Sequence, residues 1–140
     1  MEAKRDYVFK FVMTDFMDRD VPLDVRSVKY KDGKLIGKFN DEVVFVNEDP
    51  DMEAFWKRMD EQDVWAWERY YRRNQIGVLD VWQLEMANGN GKNTWSLGIN
   101  TYPPCVDMWD SDEFRRFIVN VCLLAKDNEL LRDILMFYED

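Results

Sequence analysis

The sequence predicts an α+β protein: one twisted antiparallel sheet of about six to seven strands with two to three helices packed on one face. Three observations carry this. Segments of alternating apolar and polar residues recur between turn signals, and strands joined by tight turns must pair antiparallel. Apolar residues at helical spacing occur in only a few stretches, around 52–62, 110–125 and 130–138. Nine Phe, six Trp and six Tyr in 140 residues supply enough bulk to bury a core.

The elements follow in order. Tyr7, Phe9, Phe11 and Met13 fall on one face of a strand running to Asp15, and a polar loop with Pro22 is expected over Met17 to Asp24. Ser27–Lys31 and Lys34–Lys38 flank Asp32-Gly33, a pair that favours a two-residue type I′ hairpin turn. Asn40-Asp41 turns into a further strand at Val43–Val46. Asp49 is the expected cap of a helix with Pro50 in its first turn, Met52, Phe55, Trp56 and Met59 on its apolar face, and an end near Gln62. Strand periodicity then places Trp65, Trp67 and Tyr71 on one face, and Trp82, Leu84 and Met86 on one face of the next strand. After the turn Asn88–Gly91, Trp95, Leu97 and Ile99 alternate with Thr94, Ser96 and Gly98, which reads as a strand burying its tryptophan side. Asp110, with Glu113 as capping-box partner, starts a helix whose stripe is Phe114, Phe117, Ile118, Val121, Cys122 and Ala125. A final helical segment, Leu130 to Tyr138, either covers the core or pairs with a second copy in a homodimer. No linker or repeat divides the chain, so residues 1–140 read as one domain.

Composition restricts the chemistry. Acids outnumber bases 28 to 19, giving a formal charge of −9, which disfavours direct nucleic-acid binding and favours a basic partner surface. The absence of histidine rules out Ser-His-Asp and Cys-His mechanisms, and Cys105 and Cys122 alone make a typical zinc site unworkable. Both cysteines read as reduced thiols, with Cys122 in the core. No signal peptide or membrane-length apolar run is seen, so a cytoplasmic protein without membrane attachment is expected.

Part of the chain resembles a known group. Val64-Trp65-Ala66-Trp67, Asp80-Val81-Trp82-Gln83-Leu84-Glu85 and Gly98-Ile99-Asn100-Thr101-Tyr102-Pro103 are similar to the Trp-x-Trp, Asp-Gly-x-x-Trp-x-Leu-Glu and Gly-x-Asn-x-Tyr-Pro motifs of a group of small bacterial proteins. The likeness spans about residues 54–123. It departs from the pattern after Asp80, where the glycine and one residue are missing. It implies the fold and carries no activity.

The candidate partner-binding residues are Asp41, Glu42, Glu48, Asp49, Asp51, Glu53, Asp60, Glu61 and Asp63, nine acids within 23 residues opposed only by Lys57 and Arg58. They form either a solvated face suited to a helix dipole or a negative surface built for a basic groove. Trp109, in a loop without periodic partners, is the candidate apolar anchor. Asp107, Asp110, Asp112 and Glu113 lack the spacing of a cation loop, so no metal and no cofactor is expected. Arg69, Arg72 and Arg73 form the concentrated positive run, and salt bridges account for it more simply than phosphate binding. Glu85 is followed by Met86-Ala87 where a metal nuclease wants a lysine, and Asn88–Gly91 lacks the Lys-Ser/Thr of a phosphate loop, so no enzyme is expected. The expected function is that of a protein-binding inhibitor of the phage or mobile-element kind, anti-CRISPR or other anti-defence in type, docking its acids on a basic nucleic-acid-binding surface of a larger protein. The alternative is a bacterial accessory or immunity-type domain binding a small ligand or peptide in an aromatic pocket.

Overall fold

The computed structural model describes residues 7–18, 21–72, 80–106 and 110–125. Its most local feature is the turn at Asp32-Gly33, where both residues adopt positive φ (54° and 83°), as a type I′ hairpin requires. That turn joins β2 (Val21–Lys31) to β3 (Lys34–Phe39). Asn40 and Asp41, also at positive φ, turn β3 into β4 (Glu42–Asn47). Before them runs β1 (Tyr7–Asp18); after them come α1 (Met52–Gln62), a 3-10 turn (Val64–Ala66), β5 (Tyr70–Arg72), β6 (Asp80–Asn88), β7 (Asn93–Ile99) and α2 (Asp112–Leu124). The seven strands form one sheet in the order β4-β3-β2-β1-β6-β7-β5, with α1 and α2 on one face.

The class is the expected α+β, with several corrections. The sheet is mixed, because β5 runs parallel to β7 with Tyr70 opposite Leu97. The connection from β5 back to the sheet interior passes through β6, so no tight turn forces β5 antiparallel. The segment 65–72 is not one strand either: Trp65 sits in the 3-10 turn and only Tyr70–Arg72 pairs. The expected loop at Met17–Asp24 is mostly strand, since β1 extends to Asp18 and β2 begins at Val21. Pro22 lies opposite Phe16 at two register shifts, where its missing N–H breaks no regular ladder bond.

The core forms where the helical face of the sheet meets α1 and α2. Phe9, Phe11 and Met13 of β1 and Trp82, Leu84 and Met86 of β6 all point there and are buried, as their alternation predicts. Phe9 packs edge-on to Phe55 of α1 at 5.1 Å, and Phe11 on Phe117 of α2 at 5.2 Å between ring centroids. Burying each such ring contributes about 2–3 kcal/mol.

On β7 the expected face is inverted. Ser96 and Gly98 point to the core, while Trp95 is exposed. Gly98 lies opposite Trp82, and a Cβ on it would collide with the Trp82 indole. The large indole on β6 therefore demands small residues on the adjoining strand, which turns the bulky set Trp95, Leu97 and Ile99 outward.

The caps also shift. α1 is capped by Asp51, whose carboxylate accepts from Ala54 N at 3.1 Å, two residues after the expected Asp49. α2 is capped by Ser111, not Asp110. Ser111 Oγ accepts from Phe114 N at 3.0 Å while its hydroxyl donates to the Pro103 carbonyl, a second bond that an aspartate could not make. No disulfide joins Cys105 to Cys122, and Cys122 is buried. Among the described residues no helix is long and apolar enough to cross a membrane. The segment Leu130–Tyr138 lies outside the described residues.

Candidate functional site

The nine acids do not form one patch. Asp41 and Glu42 sit at one end of β4 and Glu48 and Asp49 at the other, about 20 Å away for a six-residue strand. The remaining acids divide between the two ends of α1, about 16 Å apart. Glu48, Asp49, Asp51 and Glu53 surround its N-terminus, where the helix dipole favours negative charge. This group fits the reading of a solvated, dipole-matched helix start.

The C-terminal group does not. Asp60, Glu61 and Asp63 lie where the dipole is already negative, and the last turn carries no basic residue. Asp63 ends α1 in the left-handed region (φ 60°, ψ 38°), and its N–H closes the helix onto the Asp60 and Met59 carbonyls. Asp60 is the engaged member: it accepts from Trp65 Nε1 at 2.8 Å and from Lys92 Nζ at 3.1 Å. The Lys92 contact, and after it the Trp65 bond, hold the Asp60 carboxyl below its ordinary 3.8. Glu61 and Asp63 are exposed.

A cleft of about 260 Å³ opens beside Asp63. Trp67, Tyr71, Pro103 and Pro104 give it apolar walls; Gln62, Ala66, Asp63, Glu68 and Glu113 complete it. The walls are held from behind. The Trp67 ring contacts Trp82 and Phe117, and the Tyr71 hydroxyl accepts from Glu68 N at 2.8 Å. Burial is the main cause that pushes the Tyr71 phenol above its usual 10.0. Gln62 spans to α2, donating to the Glu113 carbonyl at 2.8 Å and accepting from Asn120 at 2.6 Å. Ser111 ties Pro103 to the start of the same helix. Three carboxylates and two aromatic rings thus line one cleft, with no cation among its described lining residues. Such a lining suits an ammonium or guanidinium group carried on an apolar stem.

This cleft gathers one predicted acid, Asp63, with residues not singled out for binding: Gln62, Glu68 and the two prolines. Trp67 and Tyr71, which the sequence places on one face of a strand, also line the cleft. Trp109 lies outside the described residues, as do Arg73 and Asp107. Arg69 stacks over Trp95 at 5.5 Å and Arg72 donates to the Tyr70 hydroxyl at 3.4 Å, so these two are held by aromatic groups, not by the expected acids.

A second polar group was also missed. Asp24, Asp15 and Asp80 stand opposite one another across β2, β1 and β6. Arg26, almost fully buried, bonds Asp15 at 2.8 Å and lies 3.9 Å from Asp24. Tyr102 hydrogen-bonds Asp80, and burial first, then the Asp80 charge, raises its phenol far above 10.0. These side chains close one end of the core. The aspartates lie far apart in sequence, so only the strand register reveals the row. Among the described residues no group of acids and thiols is arranged to hold a metal ion.

No family model and no curated protein matches the chain.

Proposed function

We propose that this chain is a non-catalytic binding module whose acidic side docks on a basic surface of a partner protein. The cleft beside Asp63 receives a lysine or arginine side chain of that partner. The observation that supports this is the placement of Glu61 and Asp63 against the helix dipole, next to an aromatic cleft lined by three carboxylates and, among the described residues, no cation. A helix end arranged this way gives up stability, and a cationic partner recovers it. In its specific form the proposal is an inhibitor, of the anti-CRISPR or wider anti-defence kind from a phage or mobile element, that occupies a nucleic-acid groove.

The test uses a variant with Glu48→Gln, Asp49→Asn, Glu53→Gln, Glu61→Gln and Asp63→Asn. It leaves Asp51 and Asp60 in place because the first caps α1 and the second anchors Trp65 and Lys92. A lysine-rich peptide titrated against both proteins, followed by tryptophan fluorescence, should bind the variant at least about tenfold more weakly, with steep salt dependence for wild type. Equal affinity would remove the acidic side as the docking surface.

The cleft itself favours a second reading, that of an accessory or immunity-type domain whose aromatic pocket holds a free cationic small molecule. A thermal-shift screen of amines and guanidines separates the two. Stabilisation by a free amine at millimolar concentration, with no response to the lysine-rich peptide, supports the second.

A further inference from the structure

Among the described residues no element covers the face of the sheet opposite the helices, and its charge is opposite to that of the whole molecule. Strand alternation places Lys10, Lys29, Lys31, Lys34, Lys38 and Arg72 on it, all exposed, with the acid Glu85 among them. A chain with a formal charge of −9 therefore carries a cationic plane. Two lysine pairs stand directly opposite each other across strands, Lys10 with Lys29 and Lys31 with Lys34. Like charges in that position destabilise a sheet. Among the described residues none of these five lysines forms an ion pair. Glu85, opposite Lys10 on β6, offsets part of the first repulsion; the Lys31 and Lys34 pair has no such acid opposite it among the described residues.

The same face collects the exposed apolar groups. Val8, Val43, Val46, Tyr70 and Trp95 all lie on it, and among the described residues only Val119 and Leu123, on α2, are exposed large hydrophobics elsewhere. Six interstrand spacings by about six residues of strand length give a plane of roughly 600 Å², close to the roughly 800 Å² per partner of a standard protein–protein interface.

We propose that this open sheet face is a second docking surface, for a protein that presents a carboxylate-rich patch. Charge complementarity fixes the sign of the partner. Apolar residues distributed between the cations fit a protein surface better than a polynucleotide, which needs a continuous cationic track and meets the net negative charge of the rest of the chain. This surface is independent of the acidic side, so the chain has two poles and can bridge an acidic protein to a basic one.

Poly-L-glutamate serves as the probe, with the intact chain, by fluorescence anisotropy at low salt. Lys10→Gln/Lys29→Gln should bind it about tenfold more weakly than wild type, while Lys57→Gln/Lys92→Gln, which changes net charge equally, should bind as wild type does. Circular dichroism melts of both variants check the fold, and relief of the lysine pair predicts a melt no lower than wild type for the first. Four results overturn the proposal: no binding by wild type; equal loss in the two variants, which makes net charge the cause; tighter binding of oligo(dT) than of poly-L-glutamate; or salt-sensitive self-association in sedimentation that the first variant abolishes, which makes a second copy the occupant.

Discussion

Gly98→Ala tests the packing that decides which way β7 faces. Gly98 needs no unusual backbone, so alanine would ordinarily stabilise a strand there by about 0.5–1 kcal/mol through the unfolded chain. The added Cβ instead falls inside the van der Waals shell of the Trp82 indole and 2.8 Å from the Thr101 carbonyl oxygen. Trp82 is fully buried and has no room to retreat: Phe114 lies at 5.3 Å, Trp67 at 5.7 Å and Tyr71 at 5.9 Å between ring centroids. Its Nε1 also donates to the Thr101 carbonyl at 2.9 Å. Overpacking costs about 1–3 kcal/mol, and disturbing a buried hydrogen bond about as much again. Set against the backbone gain, the net loss is about 3 kcal/mol. In urea unfolding, with a slope near 2 kcal/mol/M, the midpoint should fall by about 1.5 M. The same substitution in a Trp82→Phe background should cost much less, because the colliding part of the ring is gone. A midpoint unchanged in the wild-type background, or an equal fall in both backgrounds, would refute the account.

Three further outcomes follow from the electrostatics. Asp63→Asn should raise stability by about 0.5 kcal/mol in thermal melts, since asparagine accepts the left-handed conformation and the helix end loses a like charge, while affinity for a lysine-rich peptide falls; a drop in both would point to a structural role for the carboxylate. The folded Asp60 carboxyl titrates below 3.8, so the stability it contributes is present above that pH and is lost as pH falls through the lower folded value; Lys92→Met should move its NMR titration midpoint up toward 3.8, and an unmoved midpoint would exclude Lys92 as the cause. The folded Tyr102 phenol titrates above 10.0, so its contribution is complete below pH 10 and is lost as pH rises beyond it. Tyrosinate absorbance should show one phenol ionising only together with alkaline unfolding, and Tyr102→Phe should remove that component.

Residue order revealed most of the elements because their signals are local. Asp32-Gly33 dictates its own turn, and Phe9, Phe11 and Met13 alternate against polar neighbours. What escaped depends on partners distant in sequence. Alternation in Asn93–Ile99 gives a period of two and leaves open which set faces inward; the answer lies in Trp82, eleven residues or more upstream on the neighbouring strand. The parallel pairing of Tyr70–Arg72 depends on a connection through β6. The choice of Ser111 over Asp110 turns on the Pro103 carbonyl, which needs a donor. The acidic run was visible, but its division between two helix ends, one matched to the dipole and one opposed to it, required the helix boundaries. The cleft draws on residues from 62 to 113, and the cations of the open face are spread over four strands, so neither makes a run that sequence reading would notice.

The position of β1 has a consequence for how the chain is assembled. Flanked on one side by β2, its immediate successor, and on the other by β6, some seventy residues later, it is the seam between two halves of the polypeptide. A break between Asn47 and Met52 would leave one fragment with four strands and no helix to shelter Phe9 and Phe11. The other would keep both helices but lose the strand against which β6 lies. Each fragment carries what the other lacks, so the protein is suited to be split into two chains that regain their structure only on meeting.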